Sequence, residues 1–223
     1  PVNIRAVEAT YDIQYGNVAR PTHANTSWDF AKFEVCHHKW LDVSEEGYGV
    51  SVFNDCKYGV SVRGSNIGLS MLKSPVYPNP EADKEHHEFT YSIYPHRGSW
   101  KEAGTVARAY EFNNPMTAVV KENEGGSLSP EYSFLRVDQE NVVIETAKMA
   151  EQGEELIVRL YECCNKRSRV VLTCGEPLAE ASECNLMEEK DIPAEYTEHT
   201  VVFDMKPYEI KTIKITWKNR PSK

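Results

Sequence analysis

The chain has 223 residues, 40% of them apolar, which suffices for one large buried core or two smaller ones. Asp and Glu number 34 against 25 Lys and Arg, a formal net charge of −9, and no basic stripe interrupts that excess, so a dedicated nucleic-acid binder is excluded. No apolar run is long enough for a membrane-spanning helix, and the balanced mix of apolar and charged residues excludes a disordered chain.

Period-2 patterns dominate from the first residues onward. Strands are expected at 6–15 and 32–37, then at 48–53, where Tyr48, Val50 and Val52 share one face. Asn54-Asp55-Cys56-Lys57-Tyr58-Gly59 reads as a turn or short excursion leading into a strand at 60–62. Further strands are expected at 68–72, 88–94 and 106–112, separated by the proline-rich stretch 75–80, which cannot continue a central strand. Residues 113–130, with Pro115, Gly125, Gly126 and Pro130, form the best boundary. The expected domains are therefore 1–124 and 125–223.

The second half repeats the strand pattern at 134–137, 142–147, 156–161, 169–173, 200–203 and 210–217. Leu156, Val158 and Leu160 point one way and Arg159 the other; Ile213, Ile215 and Trp217 share a face opposite Thr212, Lys214 and Thr216. No segment holds a 3.6-residue period over three turns. The fold class is all-β, with antiparallel sheets.

Six cysteines are spaced too irregularly for a disulfide framework, so they read as free thiols in a reducing, cytoplasmic compartment. The acidic run 176–198, eight carboxylates against one Lys, reads as a solvated face or loop. A single sequon, Asn25-Thr26-Ser27, is the kind that arises by chance, and the opening residues resemble the inside of a folded domain, as in a piece of a longer chain.

Metal chemistry finds little purchase here. His37-His38 and His86-His87 are adjacent pairs whose side chains diverge on a strand, and His86 sits among Asp83, Glu85 and Glu88 as a surface cluster at most. Neither His-Glu-x-x-His nor Cys-x-x-Cys occurs. Glycosidic hydrolysis needs two carboxylates across a cleft. Among 34 acids, Asp29 and Asp55 are the most suggestive, although an Asp in the 54–59 turn also suits a backbone acceptor. The stretch Arg20 to Asp29 crowds hydrogen-bonding groups around Trp28, as a structural loop or as the wall of a sugar cleft or interdomain face.

That stretch also carries a family resemblance. Arg20-Pro21-Thr22-His23, Asn25-Thr26-Ser27-Trp28-Asp29, Lys32-Phe33-Glu34-Val35-Cys36, His38-Lys39-Trp40 and Asn54-Asp55-Cys56-Lys57-Tyr58-Gly59 closely resemble glycoside hydrolase family 38 α-mannosidases of the bacterial and cytosolic branch. So do 69–75, 87–91 and Tyr94-Pro95-His96; weaker similarity runs on to 206–212. The resemblance implies the end of a galactose-mutarotase-like β-supersandwich domain followed by a small C-terminal β-sandwich. It implies a retaining hydrolase of terminal α-mannosides whose nucleophile and divalent metal, expected to be zinc, lie in a catalytic domain upstream. No catalytic or metal-binding residue is therefore assigned to this chain, and no cofactor to these residues. The expected partners are that catalytic domain and, through it, an α-mannoside.

Cleft-facing or interdomain candidates are His23, Asn25, Trp28, Asp29, Asn54, Asp55, Lys57, Tyr58, His96 and Arg97. A separated β region of this kind is expected to expose an apolar patch and to self-associate. Two rival readings remain: an independent carbohydrate-binding module, drawing its aromatic platform from Trp28, Trp40, Tyr48, Tyr58 and Trp100, and a stand-alone β-fold hydrolase with its own carboxylate pair.

Overall fold

The computed structural model describes residues 1–120, 125 and 129–218, and the chain divides into two compact units, Pro1–Val119 and Val120–Lys223. Residue 124, the expected end of the first domain, lies outside the described residues.

The first unit runs β1 (Glu8–Ile13), β2 (Gly16–Pro21), α1 (Ser27–Ala31), β3 (Val35–Cys36), β4 (Trp40–Glu45), β5 (Tyr48–Asn54), β6 (Gly59–Arg63), β7 (Asn66–Leu69), β8 (Tyr91–Arg97) and α2 (Thr105–Asn113). Its strands form two antiparallel sheets, ordered β2-β1-β4-β5-β8 and β3-β6-β7. Alternate residues build the core between them: Ala9 and Tyr11 of β1, Leu41 and Val43 of β4, and Val50 and Val52 of β5 meet Val60 and Val62 of β6.

The other face of the larger sheet is also buried, because α2 lies across it. Phe53 packs on Phe112 and on Tyr94, Trp40 packs on Trp100, and Asn113 Nδ2 donates to the Asn54 carbonyl. Covering both faces explains why β4 and β5 are buried along most of their length, polar Asp42, Ser51 and Asn54 included.

The expected strand at 106–112 is thus a helix. Val106 and Ala109 are buried at helical spacing, and Gly104, at φ +63°, occupies its N-cap. Three turns of amphipathic periodicity are not needed when two buried apolar positions, with buried Thr105 beside them, dock on a preformed sheet. Two strands of this unit, β2 and β4, fell outside the expected segments.

The second unit comprises β9 (Leu135–Val137), β10 (Val142–Met149), β11 (Leu156–Glu162), β12 (Ser168–Cys174), β13 (Leu178–Cys184), β14 (Ile192–Pro193), β15 (Glu195–Tyr196), β16 (Thr200–Met205) and β17 (Ile210–Trp217). Sheets ordered β10-β11-β17-β13-β14 and β15-β16-β12-β9 enclose one core, including Leu156, Val158 and Leu160 against Val170, Leu172, Val201 and Phe203. Both units are antiparallel sandwiches, as expected.

The acidic run differs from its reading as a mere solvated stretch. It supplies β13, β14 and β15, with Leu178, Ala181 and Cys184 turned inward while Glu180 and Glu183 stay outward or at the margin. A bulge between Leu178 and Glu180 breaks the strict alternation, which hid the strand from a period-2 reading.

Candidate functional site

The expected site residues of the first unit fall into three places. The first is a small hollow around α1. Thr26 caps this one-turn helix: its Oγ1 accepts from the Asp29 amide at 3.1 Å, and Asp29 Oδ2 accepts from the Thr26 amide at 3.1 Å. Thr-x-x-Asp is therefore a capping box, the signal that a reading of 20–29 as irregular loop overlooked. His23 Nδ1 stands 3.7 Å from Asp29 Oδ2, and Arg20 stacks on the Tyr11 ring at 4.6 Å. Asn25 is exposed beside the cap. None of the residues of α1 is buried; Trp28 is 79% exposed, and Phe30 and Phe33 are 62% and 60% exposed.

The second place is a cleft of about 610 Å³, lined by Glu34, Lys57, Tyr58, Ser70, Lys73 and Asp83 among others. Val35 of β3 borders both hollows. Glu34 accepts from Ser70 Oγ and from Lys73 Nζ, the latter at 3.2 Å, and these bonds hold its carboxyl below the usual carboxylate range. Gly59 makes this approach possible: a Cβ there would lie 2.8 Å from Glu34 Oε1 and 3.2 Å from Ser70 Cβ. Lys57 sits over the Phe89 ring at 5.1 Å, and Tyr58 meets His38 edge-on at 5.5 Å.

Beneath that cleft, Asn54 and His37 are fully buried. His37 Nδ1–H donates to the Tyr58 carbonyl at 3.0 Å, and its Nε2 accepts from Asn54 Nδ2 at 2.9 Å. Burial pushes the His37 pKa down to about 4, so the ring is neutral, as an accepting Nε2 requires. Asn54 thus works from inside, fixing the backbone that presents Tyr58. Asp55 ties the same turn to the residue before β8, accepting from the Thr90 amide at 2.9 Å while its own amide donates to the Thr90 carbonyl at 3.2 Å. Burial raises the Asp55 pKa, but the bonds from Cys56 and Thr90 outweigh it and the net shift is downward.

The third place is internal. His96 is buried, and its Nε2–H donates to Asp42 Oδ2 at 2.7 Å. Ser51 Oγ donates to the same oxygen at 2.7 Å, Ser44 reaches the other carboxylate oxygen, and Thr105 lies 2.9 Å from Ser51. The residue types invite comparison with a Ser-His-Asp relay, yet the roles differ. Serine and histidine both donate to the aspartate, and Ser51 is fully buried, so no nucleophile is presented. This network fastens α2 to the sheet. Sequence reasoning missed Asp42, Ser51 and Thr105, since nothing in the chain brings positions so far apart together before the sheet order is known. Arg97, next to His96, is exposed at the end of β8.

Among the described residues no group of three or more His, Cys, Asp or Glu is arranged to hold a metal ion. The residues present do not fit a divalent-metal centre, and no step through a metal is derived from them. Trp40 and Trp100 are core residues, which removes two members of the expected aromatic platform; Trp28, Tyr48 and Tyr58 remain at the surface.

Comparison with known proteins agrees with this architecture. Residues 1–81 match the family described as glycosyl hydrolases family 38 C-terminal domain, and residues 141–213 match the glycosyl hydrolases family 38 C-terminal beta sandwich domain. Alpha-mannosidase 2C1 of Homo sapiens is 44% identical over 194 residues, covering 86% of this chain and 18% of the human protein. Alpha-mannosidase G of Dictyostelium discoideum is 40% identical over 217 residues, covering 95% of this chain and 20% of that protein. The crystal structure of an alpha-mannosidase from Enterococcus faecalis V583 superposes with a TM-score of 0.78 over 97% of this chain and 25% of its own, at 20% identity, a likeness of fold. The chain spans about a fifth of the length of the curated relatives it matches.

Proposed function

Because this chain belongs to glycoside hydrolase family 38, matching its C-terminal domains, we propose that it is the non-catalytic C-terminal β region of an α-mannosidase. In this reading the parent enzyme hydrolyses terminal α-mannosides with retention. Its nucleophile and divalent metal reside in a catalytic domain elsewhere on the same polypeptide. The first unit packs on that domain and helps shape the pocket.

The observation that carries this reading is α1. A helix of five residues that buries none of them gains little from its own unit beyond its cap, the His23–Asp29 contact and Arg63 lying 6.0 Å over the Phe30 ring, and short helices are marginal without packing. Yet it presents Trp28 and Phe30, with Phe33 close behind, to solvent. Aromatic surface of that density marks a face that meets another protein surface.

The test is to express this chain together with the rest of its parent polypeptide as two separate pieces. Co-elution and recovered mannosidase activity are expected. Trp28→Ser, Phe30→Ser and Phe33→Ser together are expected to abolish both, and undiminished co-elution of that triple variant would remove α1 from the contact.

A cytoplasmic location belongs to the same proposal. It is supported by the free cysteines, of which Cys36 and Cys56 are exposed thiols that an oxidising compartment would engage. Cell fractionation followed by thiol labelling tests it: recovery in the soluble cytoplasmic fraction with reactive thiols is expected, and recovery in a secretory fraction overturns it.

A further inference from the structure

We propose that the cleft between β3, β6 and residues 70–83 binds one neutral pyranose unit of an oligosaccharide. Its volume of about 610 Å³ falls in the range of small-molecule sites and accommodates a monosaccharide with room for its neighbour. The charged groups balance: Glu34 and Asp83 are countered by Lys57 and Lys73. Such a lining has no net attraction for an ion, but it interleaves donors and acceptors as a ring of hydroxyls requires.

The individual groups are held ready and keep spare capacity. Glu34 has one bond on each oxygen, from Ser70 and Lys73, and its side chain is still 22% exposed, so each oxygen has a lone pair left for a sugar hydroxyl. Lys73 is 70% exposed and has further N–H groups to donate. Asp83 Oδ2 accepts from the Ser74 amide at 3.0 Å, which closes the 74–83 segment into a rim. Tyr58, 46% exposed, supplies a ring on which the C–H face of a pyranose can lie, and Leu72 adds apolar wall beside it. The Tyr58 backbone is fixed by buried His37, so the ring is presented from a rigid base.

This subsite rests on the reading of the chain as part of a glycoside-processing enzyme, which suggests an α-mannoside as the probe. The experiment is a titration of the ¹⁵N-labelled 223-residue chain with methyl α-mannopyranoside and an α-linked mannobiose, followed by amide chemical shifts. Saturable shifts in the millimolar range are expected at Glu34, Tyr58, Gly59 and Ser70. Mannobiose should bind more tightly than the monosaccharide. Glu34→Gln, which keeps the side-chain volume, should weaken binding about tenfold, a loss of roughly 1.4 kcal/mol. Lys73→Met serves as a second variant and should weaken it too.

Absence of saturable shifts, shifts confined to other surfaces, unchanged binding by both variants, or tighter binding of a uronic acid than of the neutral sugar would each overturn the proposal. Failure here is distinguishable from failure of the docking reading. A chain that co-elutes with its catalytic region but ignores the sugar loses only the subsite. A chain that binds the sugar but does not co-elute loses only the docking.

Discussion

The imidazole of His96 lies over the bare α-carbon of Gly49, its partner across the β5–β8 pair: a Cβ on residue 49 would stand 2.8 Å from His96 Nε2 and overlap Cε1 and the Ser44 hydroxyl. Both of those groups are partners of the buried Asp42 carboxylate. Gly49→Ala therefore has no tolerant neighbour to push aside. It should destabilise the chain by about 1–3 kcal/mol through overpacking alone, and by more if the His96–Asp42 bond breaks. Urea unfolding at neutral pH measures this; an unchanged midpoint would mean that the His96 ring is free to move.

Stability should also depend on pH through His37. Its folded pKa of about 4 lies below the ordinary value of 6.5 because burial penalises the charged ring. Between those values the unfolded chain binds a proton that the folded chain refuses. Unfolding is thus favoured as pH falls from about 6.5 towards 4, by an amount on the order of 3 kcal/mol when complete, and this contribution is flat outside that window. His37→Gln removes this titration. Urea midpoints of the two proteins at several pH values should diverge in slope across the window, and parallel slopes would count against a neutral His37.

The exposed rings of Trp28, Phe30 and Phe33 should drive reversible self-association of the separated chain. Sedimentation velocity at rising concentration is expected to show growing mean mass for the wild type and a constant mass for the triple serine variant. A wild type that remains monomeric throughout would argue that the rings cover each other.

In the second unit, Glu162 is fully buried and accepts from Asn141 Nδ2 at 2.9 Å, the Cys164 amide at 2.7 Å and the Tyr208 amide at 2.9 Å. Those bonds hold the chain just after β11 to the turn that enters β17. Glu162→Ala would strand several donors in the interior at a cost of roughly 2–4 kcal/mol, whereas Glu162→Gln keeps one oxygen, which can still accept from Asn141 and the Cys164 amide while its NH2 faces the Tyr208 amide, and should lose less. Thermal unfolding of both variants tests the ranking; equal losses would mean that the bonds to Asn141 and Cys164, which Gln retains, contribute little.

Much of the fold was legible because half-buried strands write themselves as alternation: Leu156, Val158 and Leu160 face the core as their spacing required. Where a strand is buried on both faces, or bulged, the pattern fades, as in β4 and β13. Helix α2 was misread because 106–112 contains the β-branched and aromatic residues that a strand favours, and only docking on β5 selects the helical alternative. The site was less legible. Lys57 and Tyr58 do reach a cleft, but Glu34, Ser70 and Lys73, which complete it, are separated in sequence and meet only through the β3-β6-β7 sheet. Asn54 and His96 stood out as polar residues in distinctive motifs, and the structure uses both inside the unit, where polar side chains must also find partners.

Hydrolysis of an aryl α-mannoside, with and without added zinc, by this chain beside the complete parent enzyme tests the central claim most directly. Turnover by the complete enzyme and none by the 223-residue chain is the predicted result. Turnover by the chain itself, abolished by one Asp or Glu substitution within it, would contradict the account and move the chemistry into these sandwiches.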